Sequence, residues 1–301
     1  MRVWLRRRWI AWGRCNLAVR NLFNKPVLGS TVALEHPLAR SLVGAWIFNE
    51  AYGSSVSNLV SKGSYGSIDV TKVSKARSGL VLDTDATSIS RAVLGATKFN
   101  GTDHTSIISC VPLRRTNNVD AAAFGAWNSG ASPGTNEWLL GLNWRATQSD
   151  FYPYFAIEIG STVTTAYDAS QTWQSGDNLV LAGVRKATSQ RIYKNGKLLN
   201  EVTCGSGSAN VVSARSVKLG TLDSNASLNT NELVYYAYMW NRALTVEEIR
   251  WMYVEPYAFI APPAPYRKWF VPATAPAAGQ PIVLRTATIP NLGGSLRQTR
   301  F

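Results

Sequence analysis

The sequence predicts an all-β fold, an antiparallel jelly-roll sandwich with one short C-terminal helix and an extended arm at each end. Three observations predict it. Short apolar runs alternate with clusters of Gly, Ser, Thr and Asn, the texture of a sandwich or barrel. Helical periodicity is scarce. Residues 190–253 read in one order: hairpin, strand, strand, short helix.

Each element of that segment has a local cause. Asn195-Gly196 marks a tight type I′ turn, whose two central residues need positive φ. Ile192, Tyr193, Leu198 and Leu199 supply the apolar flanks of its strands. Ser216–Leu222 alternates Val217 and Leu219 with Ser216 and Lys218, which predicts a half-buried strand. Leu233–Trp240 is apolar on both faces and predicts an inner strand covered on two sides. Thr245 is the helix N-cap, and Glu248 three residues on completes a capping box, with Leu244 and Ile249 at the staple positions. Ile249, Met252 and Tyr253 share a face, and Pro256 closes the helix.

Upstream, Leu42-Val43-Gly44-Ala45-Trp46-Ile47-Phe48 precedes Asn49-Glu50, and Phe99-Asn100-Gly101-Thr102-Asp103 makes a turn before His104. Ala121–Trp127, Asn136–Trp144, Tyr152–Ile159 and Leu179–Arg185 read as strands. In this shared order the chain resembles laminin-G-like, concanavalin-A-like jelly-roll domains over residues 35–260. The resemblance implies a fold that usually binds or builds. It hydrolyses where a carboxylate cluster is added, with acids two and four or five apart on one strand.

The charge lies elsewhere. The formal net charge is +13, and all 18 acids fall between Glu35 and Glu255. The 19 Lys and Arg of residues 26–255 nearly cancel them, whereas residues 1–25 carry seven basic groups and residues 256–301 five, with no acid in either. The chain therefore divides into a basic Trp/Arg-rich arm (1–34), the jelly-roll domain (35–260) and a Pro-rich linker with a C-terminal extension (261–301). Trp4, Trp9 and Trp12 interleave with Arg6, Arg7, Arg8 and Arg14; the other end carries Arg267, Lys268, Trp269, Arg285, Arg297 and Arg300. Trp and Arg are favoured interface anchors, so these residues are the expected interface arm. Solvated tails without a partner are the bland alternative.

Other classes are excluded. No apolar run is long enough to span a membrane. The basic Met1–Arg8 leads into a stretch broken by Arg14, so no signal peptide is expected. Cys15, Cys110 and Cys204 are odd in number and far apart, and read as buried free thiols made in a reducing cytoplasm.

The chemistry is sparse. No strand carries the carboxylate cluster; Glu247-Glu248 sits on the helix, and Glu201, Glu158 and Asp150 stand alone, which reads as solvated surface. No catalytic residue and no enzyme are expected. The resemblance implies calcium at a sandwich rim, with Asn100, Asp103, Asp223, Asn225 and Asn229 as the candidate oxygen donors; such residues more often serve turn geometry. No other cofactor is expected. Candidate glycan-binding aromatics are Trp127, Trp138, Trp144, Tyr152, Tyr154 and Trp173, for which the sandwich core is the other fate.

With its arms, the chain resembles virion components of tailed bacteriophages. That resemblance implies a non-enzymatic structural protein of the virion, made in the host cytoplasm: a capsid decoration or cement, or a tail- or fibre-associated module. Its partners would be other capsid or tail subunits, held through the arms, in a homo-oligomeric assembly. The alternative is a lectin-like module recognising cell-surface polysaccharide. A third reading has the basic arm touching nucleic acid, with steeply salt-dependent binding.

Overall fold

The computed structural model describes residues 24–50, 52–61, 65–68, 73–76, 79–82, 92–95, 99, 101–112, 121–127, 137–144, 151–160, 162–174, 176–207, 216–220 and 232–263. All but Pro263, where a second unit of the chain begins, belong to one unit ending at Pro262. The expected interface residues of both arms lie outside the described residues.

Two antiparallel sheets face each other. The front sheet contains β2 (Leu42–Trp46), β5 (Val73–Ala76), β6 (Gly79–Leu82), β8 (His104–Pro112), β13 (Leu179–Lys186), β14 (Ser189–Lys194), β15 (Lys197–Thr203) and β17 (Glu232–Trp240). Its order is β15-β14-β13-β8-β17-β6-β5, with β2 also on β17. The back sheet contains β3 (Ser55–Ser57), β4 (Tyr65–Ile68), β7 (Ala92–Gly95), β9 (Ala121–Ala126), β10 (Trp138–Trp144), β11 (Phe151–Ile159), β12 (Thr162–Tyr167) and β16 (Val217–Leu219). Its order is β12-β11-β10-β9-β16-β7-β4-β3. A separate clasp pairs β1 (Thr31–Val32) with β18 (Ile260–Ala261). The short helix α1 spans Val246–Val254. This is the all-β jelly-roll sandwich that the sequence predicts.

Local chemistry sets these elements where it was expected to. Asn195 and Gly196 have φ of 52° and 77°, so β14 and β15 meet through the predicted turn. Thr245 Oγ1 accepts from the Glu248 amide at 3.2 Å while Glu248 Oε2 accepts from the Thr245 amide at 2.9 Å. Arg242 holds both oxygens of Glu248, at 2.7 and 2.8 Å, and fixes the helix start to the end of β17.

Burial has two layers. Between the sheets, Trp46, Leu82, Ile108, Phe124, Trp138, Leu140, Phe155, Leu181, Val217 and Met239 share one core. Outside the front sheet, Ile107, Val184, Tyr236, Tyr238 and Trp240 pack against Leu38, Leu244, Ile249, Met252 and Phe259. The front sheet is therefore covered on both faces, which is why β8 and β17 are apolar runs without alternation. Gly183 lies on the inner face because a Cβ there would run into the Phe155 ring of the back sheet.

Side chains close both open sides. On one, Asn200 Nδ2 donates to Tyr167 O at 2.6 Å and Gln190 Nε2 to Phe155 O at 2.5 Å. On the other, Lys75 Nζ donates from β5 to Ser55 O of β3 at 2.6 Å and to Tyr52 O at 3.1 Å. The Asn200 and Lys75 contacts tie the edge strands of one sheet to those of the other.

Some expectations are corrected. The strand expected over Ser216–Leu222 is described as β16 alone, Val217–Leu219. His104, directly after the expected turn, begins β8 and is fully buried. Strands β3 to β7 and β12 were not expected: β3 to β7 are only three or four residues long, too short to show a period, and β12 is rich in threonine.

Replacing the helix cap, Thr245→Ala, is expected to cost about 1 kcal/mol in urea unfolding. A second expectation concerns Glu232, which is buried inside β17 with no hydrogen-bond partner on either carboxylate oxygen. Burial pushes its pKa up from 4.5 to about 8. Between those values the unfolded chain has lost the proton and the folded protein keeps it, so stability from this group falls as pH rises. Glu232→Gln is expected to raise Tm increasingly from pH 5 to pH 8; an unchanged pH slope would contradict this.

Candidate functional site

The outer face of the back sheet follows from its register. Trp138 pairs with Ile157 and points inward, so their neighbours Glu137, Leu139, Ala156 and Glu158 point outward. One outward row runs Leu139, Ala156, Thr165, and the next runs Gly141, Tyr154, Tyr167. Leu139, Tyr152, Tyr154 and Ala156 form a small apolar cluster of their own, with Trp127 and Ala169 packed against it.

Aromatic rings top this cluster. Tyr167 of β12 stacks on Tyr152 of β11, with centroids 4.9 Å apart and planes 27° apart. Tyr152 and Tyr154 are buried, Trp127 is half-buried, and Tyr167 is 37% exposed. The pattern is a buried aromatic bed with two rings reaching outward.

Two carboxylates flank it. The Glu137 amide donates to Glu158 O at 3.2 Å and the Glu158 amide to Glu137 O at 2.8 Å. Such a doubly bonded cross-strand pair has Cα atoms about 5.5 Å apart, with both side chains on one face. Both residues are buried, which corrects the reading of Glu158 as an isolated surface acid. Glu201, by contrast, is exposed and pairs with Arg191 at 2.9 Å.

The structure therefore divides the expected aromatics. It brings Trp127, Tyr152 and Tyr154 together on the outer face. Trp138 and Trp173 are corrected to the inter-sheet core. The backbone of Trp144 ends β10, and its side chain lies outside the described residues. Tyr167, Glu137 and the Glu137–Glu158 pairing were missed. Each strand shows alternation, but register between strands has no local signature.

Of the calcium candidates, Asp103 is described. Its Oδ1 accepts from the Ala187 amide at 2.7 Å and from Thr102 Oγ1 at 3.3 Å. Ala187 has a φ of 51°, so Asp103 braces a strained hairpin residue. Asn100, Asp223, Asn225 and Asn229 lie outside the described residues. Among the described residues no group of three or more His, Cys, Asp or Glu is placed to hold a metal. Cys110 and Cys204 are buried free thiols, and no described helix is long and apolar enough to cross a membrane.

No protein-family model matches the sequence, and no curated protein matches it. The fold is similar to Trypanosoma rangeli sialidase in complex with sialic acid, with a TM-score of 0.53 and 17% identity. That likeness covers 80% of this chain and 38% of the sialidase chain. It is also similar to the binding domain of Paraclostridial Mosquitocidal Protein 1, with a TM-score of 0.52, 11% identity, and coverage of 72% of this chain and 53% of that one. Domain 4 of AbnA, a GH43 extracellular arabinanase from Geobacillus stearothermophilus in complex with arabinotriose, matches at 14% identity over 70% of this chain and 97% of that one. Its TM-score of 0.46 is too low to support an argument.

These likenesses establish a β-sandwich. They also correct the expectation that the chain is no enzyme: solved structures sharing its fold include sialidases, so the lack of a single-strand carboxylate cluster does not set it apart from enzyme-related proteins.

If Asp103 serves the hairpin, Asp103→Ala is expected to cost about 1–2 kcal/mol, equally with calcium and with chelator present. A loss seen only with calcium would make Asp103 a metal ligand.

Proposed function

We propose that the sandwich is a carbohydrate-binding module whose ligand lies on the outer face of β9 to β12. The carrying observation is the Tyr152–Tyr167 stack beside Trp127, with Glu137 and Glu158 paired on the same face. Sugar rings present apolar C–H faces and hydroxyl edges. Aromatic rings on a rigid bed suit the faces, while the buried Glu137 and Glu158 brace the bed from within. Polar groups converging on an apolar surface are the usual make-up of a small-ligand site. The fold's likeness to a sialidase solved with sialic acid supports the reading.

A second, narrower reading rests on the charge distribution. Residues 1–25 and 256–301 carry twelve basic groups and no acid. Segments of this kind suit attachment to an acidic surface, and in this reading they fasten the module to other subunits of a phage virion. Cross-linking from Lys268 to a different, repeated protein in a native particle would support it; links confined to the chain itself would remove its support.

The primary test is a polysaccharide panel read by affinity electrophoresis and calorimetry. Tyr167→Ala and Trp127→Ala are each expected to weaken binding about tenfold or more, the loss of one stacked ring. Tyr65→Ala, an exposed tyrosine on β4, should change nothing. Failure of the whole panel, or equal affinity in all three variants, would refute the site.

A further inference from the structure

A row of polar side chains crosses the inner face of the front sheet, away from the carbohydrate face. His104 of β8 pairs in register with Arg185 of β13, and Arg185 with Gln190 of β14. All three are fully buried. They point between the sheets. His104 stacks on Phe99 at 4.2 Å and meets the Phe155 ring of the back sheet edge-on at 5.9 Å. Gln190 Nε2 reaches the back-sheet carbonyls of Phe155 at 2.5 Å and Thr164 at 3.2 Å. Arg185 lies four residues beyond Leu181, a core residue on the same face.

The row is only partly satisfied. Arg185 Nε donates to Ala187 O at 3.1 Å, and Nη2 donates to Gly205 O at 2.8 Å and to Gly207 O. Among the described residues its Nη1 has no partner, and neither do the two ring nitrogens of His104 or Gln190 Oε1. The Gln190 orientation is fixed, because two carbonyls hold its nitrogen. Burial, and then the Arg185 charge, push the His104 pKa down to about 3. The imidazole is therefore neutral, with one N–H and one lone pair.

The orphans are thus donors on Arg185 and His104 and acceptors on His104 and Gln190. An anion meets the donors but is repelled by Gln190 Oε1. A cation meets only the acceptors and is opposed by the guanidinium. A water molecule both accepts and donates, so it can bridge the guanidinium donor and the amide acceptor while meeting one imidazole nitrogen, and buried waters typically make about three such bonds. We propose that this row is an internal water site, with the water accepting from Arg185 Nη1, donating to Gln190 Oε1 and meeting one ring nitrogen of His104. The water then joins β8, β13 and β14, and through Gln190 reaches β11 and β12 of the opposite sheet. Leaving these buried polar groups without partners would cost more than immobilising one water.

Two measurements on the unaltered full-length protein test it. In a crystal structure from bromide-containing solution, the expected result is one water-like peak about 2.7–3.2 Å from Arg185 Nη1, Gln190 Oε1 and a His104 nitrogen, without bromine anomalous signal. Absent density, or an anomalous peak, overturns the proposal. In solution, the expected result is one protonated ring nitrogen on ¹⁵N-labelled His104, cross-relaxing with a long-lived water. An imidazolium, or an N–H with no water contact, overturns it equally.

Discussion

One strand with three neighbours governs this sandwich. β17 pairs with β8 along its length, but its other edge serves β6 at Glu232–Val234 and β2 at Ala237–Trp240. Between these two partners the edge is open, the pairing with β8 shifts register at the same place, and the carbonyl of Tyr235 falls in the gap. Both faces of the sheet are covered there, so water is a poor substitute partner and an unmet carbonyl would be costly. Lys25 fills the gap. Its Nζ donates to Tyr235 O at 2.7 Å, Ile47 O at 2.6 Å and Phe48 O at 3.3 Å. Phe48 has a φ of 47°, a conformation held by its surroundings rather than by its own preference. Burial pulls the Lys25 pKa down to about 7, against the opposing pull of the Glu50 carboxylate. The central strand thus depends on a side chain distant in sequence.

That dependence explains what the sequence could and could not reveal. The Asn195-Gly196 turn and the Thr245 capping box were legible because their causes lie within four residues. β17 was legible because burial on both faces writes itself as a continuous apolar run. The Lys25 plug, the Lys75 bridge and the Gln190 link were not, since nothing near a lysine or glutamine says which distant carbonyl it will meet. The aromatic residues were half legible. Trp138 and Leu139 are adjacent in sequence yet belong to opposite faces, and only the pairing with β11 decides which face looks outward.

The same reasoning applies to the carboxylates. A search along one strand asks for acids two or four residues apart, because alternation then places them together. Glu137 and Glu158 are twenty-one positions apart and still share a face, since β10 and β11 are neighbours in register. A sandwich assembles a polar group across strands as readily as along one, so a sparse-looking sequence can carry a well-populated face.

The clasp between β1 and β18 has a mechanical consequence. Thr31 pairs with Ala261 and Val32 with Ile260, so the chain enters and leaves the sandwich side by side. Tension applied from both directions would load these bonds in sequence, as a zipper is loaded, rather than together in shear. Because Lys25 precedes β1, a pull from the N-terminal side meets the Lys25 plug before the clasp and is felt first at the midpoint of the central strand.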